Sequence, residues 1–203
     1  MIFFFNGPPG SGKDYCCQNL PQETLNFKKI LIEHTIEYFG VAREWFISEY
    51  NNRNVKETPE ELLGGISRRD ALIHVSENVY KKKYGNTYFG EKVLDQIEDG
   101  KDYVFSDCGF IDEIFPIINK IGEENAVIIQ LFRDGCDFSK DSRSYIQGKT
   151  KGEFILSHKT EYQDEIKSIY PYQCSTYKIH NNASEEELIF TAKKIIKKEK
   201  NVS

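Results

Sequence analysis

Short apolar runs recur along the chain and predict the strands of a buried parallel sheet. The runs lie at residues 2–5, 29–33, 103–107, 126–132 and 177–180. Their hydrophobic residues follow one another with little polar alternation, which is typical of strands that are covered on both faces. We therefore expect a five-stranded parallel sheet whose first strand begins at the second residue of the chain.

Segments with apolar residues three and four positions apart separate these runs and predict helices. Two of them begin with a capping pattern, Ser67 followed by Asp70 and Ser184 followed by Glu187. Helices are expected at 12–20, 36–46, 67–84, 87–98, 112–121 and 158–169 and after Ser184, while 51–61 and 134–152 predict a loop and a mobile flap. Strands that alternate with helices predict an α/β fold with helices on both faces of the sheet.

Composition and charge narrow the class of protein. The 203 residues fit one domain, and the net charge of −5 disfavours a surface that binds DNA non-specifically. The five cysteines contain no C-x-x-C pair, so we expect reduced thiols in a cytoplasmic protein. No apolar run approaches the roughly 20 residues of a membrane span, and no membrane partner is expected.

The residues after the first predicted strand match the pattern G-x-x-x-x-G-K. Glycines allow consecutive backbone N–H groups to surround an anion, and the following helix adds its own free N–H groups. The lysine of this pattern contacts the β- and γ-phosphates of a nucleotide. We therefore predict ATP as the ligand, bound by Gly7, Gly10, Ser11, Gly12, Lys13, Asp14 and Tyr15. A glycine-rich hairpin that contains a lysine by coincidence is the alternative interpretation.

Two acidic residues are candidate ligands for the Mg²⁺ ion that accompanies ATP. Asp14 stands where the pattern normally has Ser or Thr, and its carboxylate can ligate a hard cation directly or through water. Asp107 ends the third predicted strand, so we expect it beside the loop, as a second metal ligand or as a base. The alternative role for Asp107 is an N-cap of the helix that follows it.

Arginines and one aromatic residue complete the predicted site. Arg133 ends the fourth predicted strand, and a planar guanidinium suits bidentate contact with phosphate, so we assign Arg133 to catalysis with Lys13 and Asp107. Arg143, in the predicted flap, is a candidate to bind the substrate. Trp45 is a candidate to stack on an acceptor base, although aromatic residues at helical spacing more often pack in a core.

Three motifs resemble those of the phage-type deoxynucleoside monophosphate kinases, which belong to the P-loop nucleotide kinases. The first is Gly-Ser-Gly-Lys-Asp at 10–14, and the second is Ser-Arg-Arg-Asp-Ala-Leu at 67–72, which leads to Lys-Tyr-Gly at 83–85. The third is Ser-Asp-Cys-Gly-Phe-Ile-Asp-Glu at 106–113. Fainter similarities lie at 141–143 and 181–184, so the resemblance spans most of the chain.

The resemblance implies a P-loop kinase fold, a three-layer sandwich in a single domain. It implies a helical acceptor-binding insertion at 35–100, a lid at 134–152, and a role for Arg69 in binding the acceptor. Two positions depart from the family pattern. Tyr15 stands where the family has Thr, and Gly109 stands where it has an Arg.

Three functions follow from these observations. The first is an ATP- and Mg²⁺-dependent kinase that phosphorylates a deoxynucleoside 5′-monophosphate. The second is a kinase of the same fold that acts on a hydroxyl acceptor, such as 5-hydroxymethyluracil in phage DNA, and that needs a base to take the hydroxyl proton. The third is a nucleotide-binding protein without transfer activity. The oligomeric state, including a homodimer, stays open.

Overall fold

The computed structural model of the protein describes residues 1–48, 50, 52–139, 141–161, 168–169 and 173–201. Six strands form one sheet in the order β2-β5-β1-β6-β10-β8, and all neighbouring strands in it run parallel. Two further pairs lie outside it, β3 with β4 and β7 with β9. In chain order the strands are β1 (Ile2–Asn6), β2 (Glu23–Leu25), β3 (Pro59–Glu60), β4 (Ile66–Ser67), β5 (Tyr103–Phe105), β6 (Ala126–Phe132), β7 (Ile146–Gln147), β8 (Lys149–Leu156), β9 (Ser168–Ile169) and β10 (Ser175–Asn181).

Helices flank the sheet and build an insertion between β2 and β5. The α-helices are α1 (Lys13–Gln18), α2 (Phe27–Phe39), α3 (Arg43–Ile47), α4 (Arg53–Glu57), α5 (Arg68–Ile73), α6 (Lys81–Tyr84), α7 (Tyr88–Leu94), α8 (Ile111–Ile121) and α9 (Glu185–Lys200). A π-helical segment, His74–Tyr80, joins α5 to α6, and short 3₁₀ turns lie at Glu61–Leu63 and Glu123–Asn125. Among the residues described here, no helix is long and apolar enough to cross a bilayer.

Both faces of the sheet are buried, as the apolar runs predicted. Side chains alternate along a strand, so Phe3 and Phe5 of β1 pack with α1 and α9 on one face. Phe4 points to the other face, where α2, α7 and α8 cover it. The molecule is therefore an α/β fold in three layers, helix on sheet on helix.

Four of the five predicted strands are confirmed, and the one predicted at 29–33 is wrong. Residues 29–33 lie inside α2, where Asn26 caps the helix and its side chain accepts a hydrogen bond from the Lys29 N–H. Ile30 and Leu31 pack against the sheet, while Ile32 packs against the core of the insertion. A short apolar run suits a helix wedged between two cores as well as it suits a strand.

The sheet has six strands, one more than predicted. The prediction includes 29–33, which is helical, and misses both edge strands, β2 and β8, because neither contains an apolar run. The edge strand β2 buries only Leu25 of its three residues, and β8 alternates exposed and half-buried positions. Edge strands have a neighbour on one side only and carry polar and charged residues. The last seven residues of the predicted lid, 146–152, therefore belong largely to β7 and β8, and only 134–145 lack strand or helix among their described residues.

The insertion has a core of its own. Buried Phe46, Tyr50, Leu63 and Leu72 pack together, with α2 lying between this core and the sheet. The predicted helix start is confirmed, since Ser67 Oγ accepts a hydrogen bond from the Asp70 N–H. The polar segment 51–61, predicted as a loop, instead contains α4 and β3.

Near the carboxyl terminus, one predicted helix is confirmed and another is wrong. Ser184 and Glu187 form the expected capping box of α9, which buries Leu188, Ala192, Ile195 and Ile196. The predicted helix at 158–169 fails wherever it is described, because 158–161 are irregular and Ser168–Ile169 is a strand. Residues 162–167 lie outside the described part of the chain.

Candidate functional site

Residues 7–12, which we call the glycine loop, join the buried end of β1 to α1. Gly10 and Gly12 have φ values of 85° and 96°, a left-handed backbone that strains any side chain. At Gly7 a Cβ atom would lie 2.7 Å from Ser11 Oγ and 2.8 Å from the Leu131 carbonyl oxygen. The fold therefore requires glycine at these positions. A loop that binds an anion through its backbone N–H groups has the same requirement.

The Lys13 ammonium folds back into the glycine loop. It is buried, donates a hydrogen bond to the Pro8 carbonyl at 3.1 Å, and lies 3.9 Å from Asp14 Oδ2. Burial lowers the pKa of Lys13, and the neighbouring Asp14 carboxylate partly opposes that shift. A desolvated ammonium held mainly by one carbonyl is a strong attractor for phosphate oxygens.

The loop is supported from β10. Asn181 Nδ2 donates to the Ser11 carbonyl at 2.9 Å, and Gly12 approaches the same amide so closely that a Cβ atom would lie 2.8 Å from it. Ser11 Oγ is buried without a hydrogen-bond partner among the residues that the structure describes. An orphaned buried hydroxyl facing a loop of this kind is a donor available to a ligand.

Asp107 follows β5 and faces the first turn of α2. Its Oδ2 accepts a hydrogen bond from the Lys28 N–H at 2.9 Å, while its Oδ1 is buried and has no partner in the described part of the chain. Burial raises the pKa of Asp107 to about 6, although the Lys28 N–H and the Arg143 charge pull it down. The alternative role as cap of the following helix is wrong, because α8 starts after Phe110 without a side-chain cap.

Two of the predicted arginines reach the same region. Arg133 Nη1 donates to the Gly10 carbonyl at 3.3 Å, so the end of β6 contacts the glycine loop. Arg143 is held by Asp141 through Nε at 2.9 Å and Nη2 at 2.5 Å. The charge of Arg143 lowers the pKa of Lys13 and that of Asp107, so the three groups lie close enough to interact.

Arg143 occupies the space that a side chain at position 109 would need. A Cβ atom on Gly109 would lie 2.6 Å from Cβ, Cγ and Cδ of Arg143, and the Ser144 N–H donates to the Gly109 carbonyl. The guanidinium from residue 143 therefore reaches this strand end only because residue 109 is glycine.

Arg69 and Trp45 stand further into the insertion. Arg69 pairs with Glu57 at 3.2 Å on the outside of α4. Trp45 packs against the insertion core, and the buried guanidinium of Arg68 lies 4.6 Å from the ring centroid. One face of Trp45 is thus already occupied, and its role and that of Arg69 in binding an acceptor stay predictions.

Tyr15 and Asp14, at the start of α1, contact different neighbours. Tyr15 is 40% exposed, and a hydrogen bond to Glu185 of α9 raises the pKa of its phenol. Asp14 is exposed and close to the Lys13 ammonium. Tyr15 thus contacts the first residue of α9, while Asp14 remains exposed to solvent.

Asp14 and Asp107 are the two acids predicted to bind Mg²⁺, and that role stays a prediction. Within the described residues, no group of three or more His, Cys, Asp or Glu side chains is placed to hold a metal. Mg²⁺ usually needs only one or two carboxylates, with substrate phosphates and waters completing its octahedron. The exposed Asp14 carboxylate and the orphaned Asp107 Oδ1 therefore suit an ion that arrives with a nucleotide.

A cavity of about 390 Å³ opens beside the glycine loop. Arg133, Cys136, His158 and Thr160 are among the residues that line it, and a Cβ atom on Gly10 would lie 3.1 Å from Cys136 Sγ. On one side, a hydrogen bond of 2.5 Å joins His158 Nε2 and Asp134 Oδ2. The cavity is large enough for part of a nucleotide whose phosphates lie in the loop.

Sequence reasoning missed two lysines near this site. Lys28 and Lys56 both lie against the ring of Tyr50, with their ammonium nitrogens 4.4 and 5.2 Å from its centroid. Lys28 stands next to the run predicted as a strand, and Lys56 lies in the segment predicted as a loop. A periodicity count that treated 27–39 as a helix would have placed Lys28 in its first turn.

Glu113 is a second buried acid in the third motif. It lies in α8, 4.0 Å from the Lys81 ammonium, which itself bonds Glu77 at 2.7 Å. Burial raises the pKa of Glu113 to about 8, and Lys81 only partly opposes the shift. The carboxyl is thus largely protonated at neutral pH, which makes it a donor within the fold.

We expect Glu113→Gln to remove a pH dependence of stability. In the unfolded chain the carboxyl ionises near its ordinary pKa of 4.5, whereas in the folded protein it holds its proton until about pH 8. Wild-type stability should therefore fall relative to the variant by roughly 1 kcal/mol per pH unit between these values. Urea unfolding from pH 5 to 8 measures this difference, and Glu44→Gln, at an exposed acid of α3, is the control that should not change it.

No protein-family model matches the chain, and a search of the curated proteins finds no match. The resemblance to the phage-type kinases consequently stays a prediction carried by the three motifs.

Proposed function

We propose that the protein is a P-loop kinase that transfers the γ-phosphoryl group of ATP to a deoxynucleoside 5′-monophosphate in the cytoplasm. The observation that carries the proposal is the buried Lys13 ammonium, folded into a loop that tolerates only glycine at three positions. The six-stranded parallel sheet supports it, since nucleotides bind at the carboxyl ends of parallel strands, where this loop, Asp107 and Arg133 lie.

The residues divide between donor and acceptor. The amides of the glycine loop and Lys13 would bind the β- and γ-phosphates, and Arg133 would contact the triphosphate from the end of β6. Arg143 would approach the transferred group from across Gly109. Asp14 and Asp107 would hold Mg²⁺, which supplies neutralisation of the phosphate charge when bound.

The transfer needs positioning more than proton chemistry. The bond between the γ-phosphorus and the β–γ bridging oxygen breaks, a bond to an oxygen of the acceptor phosphate forms, and ADP leaves. A phosphomonoester oxygen has lost its protons near neutral pH, since its second pKa is about 6. The cations around the site would therefore align two anions that otherwise repel.

One observation favours a hydroxyl acceptor as the second candidate. Asp107 has a pKa of about 6 and an unpartnered Oδ1 among the described residues, which suits a general base. A base in modified DNA, such as 5-hydroxymethyluracil, would supply such a hydroxyl. The net charge of −5 counts against this candidate because a DNA substrate favours a basic groove.

A screen of ATP consumption over acceptors tests the proposal. The acceptors are the four common deoxynucleoside monophosphates, the free nucleosides, and DNA containing 5-hydroxymethyluracil, each with ATP and Mg²⁺. Turnover with a monophosphate alone supports the first function, and product only on the modified DNA replaces it with the second. Tight ATP binding without turnover on any acceptor would instead indicate a nucleotide-binding protein without transfer activity.

Gly109→Ala should slow transfer because it displaces Arg143. The new methyl group would lie 2.6 Å from the first three carbons of that side chain, too close for a small rotation to relieve. Misplacing a clamp by about 1 Å costs about 10- to 100-fold in rate. Steady-state kinetics of G109A, R143A and the double variant check the cause, since the two effects should not add. Additive losses would contradict this account.

A further inference from the structure

Two lysines from different helices converge on one buried ring. Lys28 comes from the first turn of α2 and Lys56 from α4, and both ammonium groups lie against Tyr50, at 4.4 and 5.2 Å from its ring centroid. Tyr50 is only 8% exposed, and its hydroxyl is buried without a partner among the described residues. A ring face attracts cations, but it does not neutralise them.

Within the described part of the chain, neither ammonium is in direct contact with a carboxylate, although the charges of Asp107 and Asp14 partly oppose the lowering of the Lys28 pKa by burial. Across the described ranges, no carboxylate lies within 4 Å of Lys28 Nζ or Lys56 Nζ, whereas Arg69 and Arg143 each have a carboxylate partner. Burial lowers the pKa of both lysines, to about 8 for Lys56, and the Lys28 charge lowers that of Lys56 further. Partly desolvated like charges held side by side are costly unless an anion joins them.

The lysine pair borders the site argued above. The backbone N–H of Lys28 is the group that bonds Asp107 Oδ2, which fixes the start of α2 against the end of β5. The Arg143 charge lowers the pKa of Lys28 and that of Lys56. An anion at this pair would therefore lie beside Asp107 and Arg143, close enough to interact with the charges of Lys13 and Asp14.

We propose that Lys28 and Lys56, seated on Tyr50, bind the phosphate of the acceptor and select for a phosphomonoester. The inference rests on the proposed function and assigns the acceptor anion to two residues outside the three motifs. Two ammonium groups match the two negative charges of a monoester, whereas a phosphodiester in DNA carries one. Arg69 and Arg143 are already paired with carboxylates, so they contribute less unsatisfied charge to this anion.

The test compares monophosphate binding in variants of the pair. Calorimetry measures the affinity of each of the four deoxynucleoside monophosphates, of the matching deoxynucleosides and of ATP for wild type and for K28A, K56A and K28A/K56A. The double variant should bind the monophosphate about 10- to 100-fold more weakly, as expected for loss of charge-assisted hydrogen bonds. Its affinities for ATP and for the deoxynucleoside should change less than about twofold, since neither presents a monoester to the pair.

Two controls separate charge from structure. Lys29→Ala, at the neighbouring exposed position of α2, should leave every affinity unchanged. K28R/K56R keeps both charges and should retain most of the affinity for the monophosphate. Thermal unfolding should show the double alanine variant at least as stable as wild type, because it loses two cations that repel.

The outcomes distinguish the inference from the proposed function. Unchanged monophosphate affinity in folded K28A/K56A overturns the inference, and so does failure of every monophosphate to bind wild type. If a monophosphate binds through the lysines but ATP is never consumed, the binding site stands and the kinase proposal falls. If turnover occurs with the same KM for the acceptor in both proteins, the kinase proposal stands and the lysine site falls.

Discussion

Lys13→Ala should abolish ATP-dependent transfer while leaving the fold at least as stable as wild type. The ammonium is buried, and its only hydrogen bond within the described residues is to the Pro8 carbonyl, so the folded protein loses little when it is removed. A transition state that gathers negative charge on the γ-phosphoryl oxygens loses its nearest fixed cation. Removal of a single such group costs at least about 10²- to 10³-fold in rate.

Coupled measurements of rate and stability check this expectation. Transfer is followed as ADP release with the acceptor that the screen identifies, and the free energy of unfolding is followed by urea titration. Lys101→Ala is the matched control, because that exposed lysine pairs with Glu98 far along the chain from the loop. A variant that unfolds at lower urea and loses activity in proportion would mean that Lys13 is structural.

Local sequence patterns predicted the elements whose cause is local. The buried first strand, the glycine loop and the helix after it all lie within the first eighteen residues of the chain. The caps at Ser67 and Ser184 act over three residues, and both are confirmed. Each of these features depends on neighbours in the chain, which a sequence pattern displays directly.

Tertiary contacts decided the features that were missed. The strand β8 is polar because it lies at the edge of the sheet, and its place beside β10 depends on residues distant in sequence. The run at 29–33 is helical because α2 has two cores to face, one built by the sheet and one by the insertion. Hydrophobicity alone does not say how many surfaces will bury a segment.

The candidate site shows the same division. Lys13, Asp107 and Arg133 could be predicted because each directly ends or follows a recognisable strand or loop. Lys28 and Lys56 could not, since what makes them notable is a shared ring and missing carboxylates. Arg143 could be placed near the site only as a flap residue, and its contact with Gly109 needed the folded chain.

Asp107→Asn should lose most of the transfer activity and gain stability in neutral solution. Burial raises the pKa of Asp107 to about 6, so the folded protein holds an ionised carboxylate at pH 8 that the unfolded chain accommodates more easily. Stability conferred by the protonated form is complete below the ordinary pKa of 3.8 and is lost as the pH rises to about 6. The neutral amide avoids this loss, so the variant should be more stable by up to about 3 kcal/mol at pH 8 and should show no advantage at pH 3.5.

Opposite changes in rate and stability distinguish a functional acid from a structural one. The amide oxygen still accepts the Lys28 N–H bond, which keeps α2 in place, but it cannot act as a base and is a weaker metal ligand. Urea unfolding in the presence of a metal chelator gives the stability, and transfer rates at saturating ATP give the activity. Asp95→Asn is the control, because Asp95, at the end of α7, has no role in the proposed site. A D107N protein that is less stable at pH 8 would show that the carboxylate holds the fold, because a charge that only burdens the folded state cannot stabilise it.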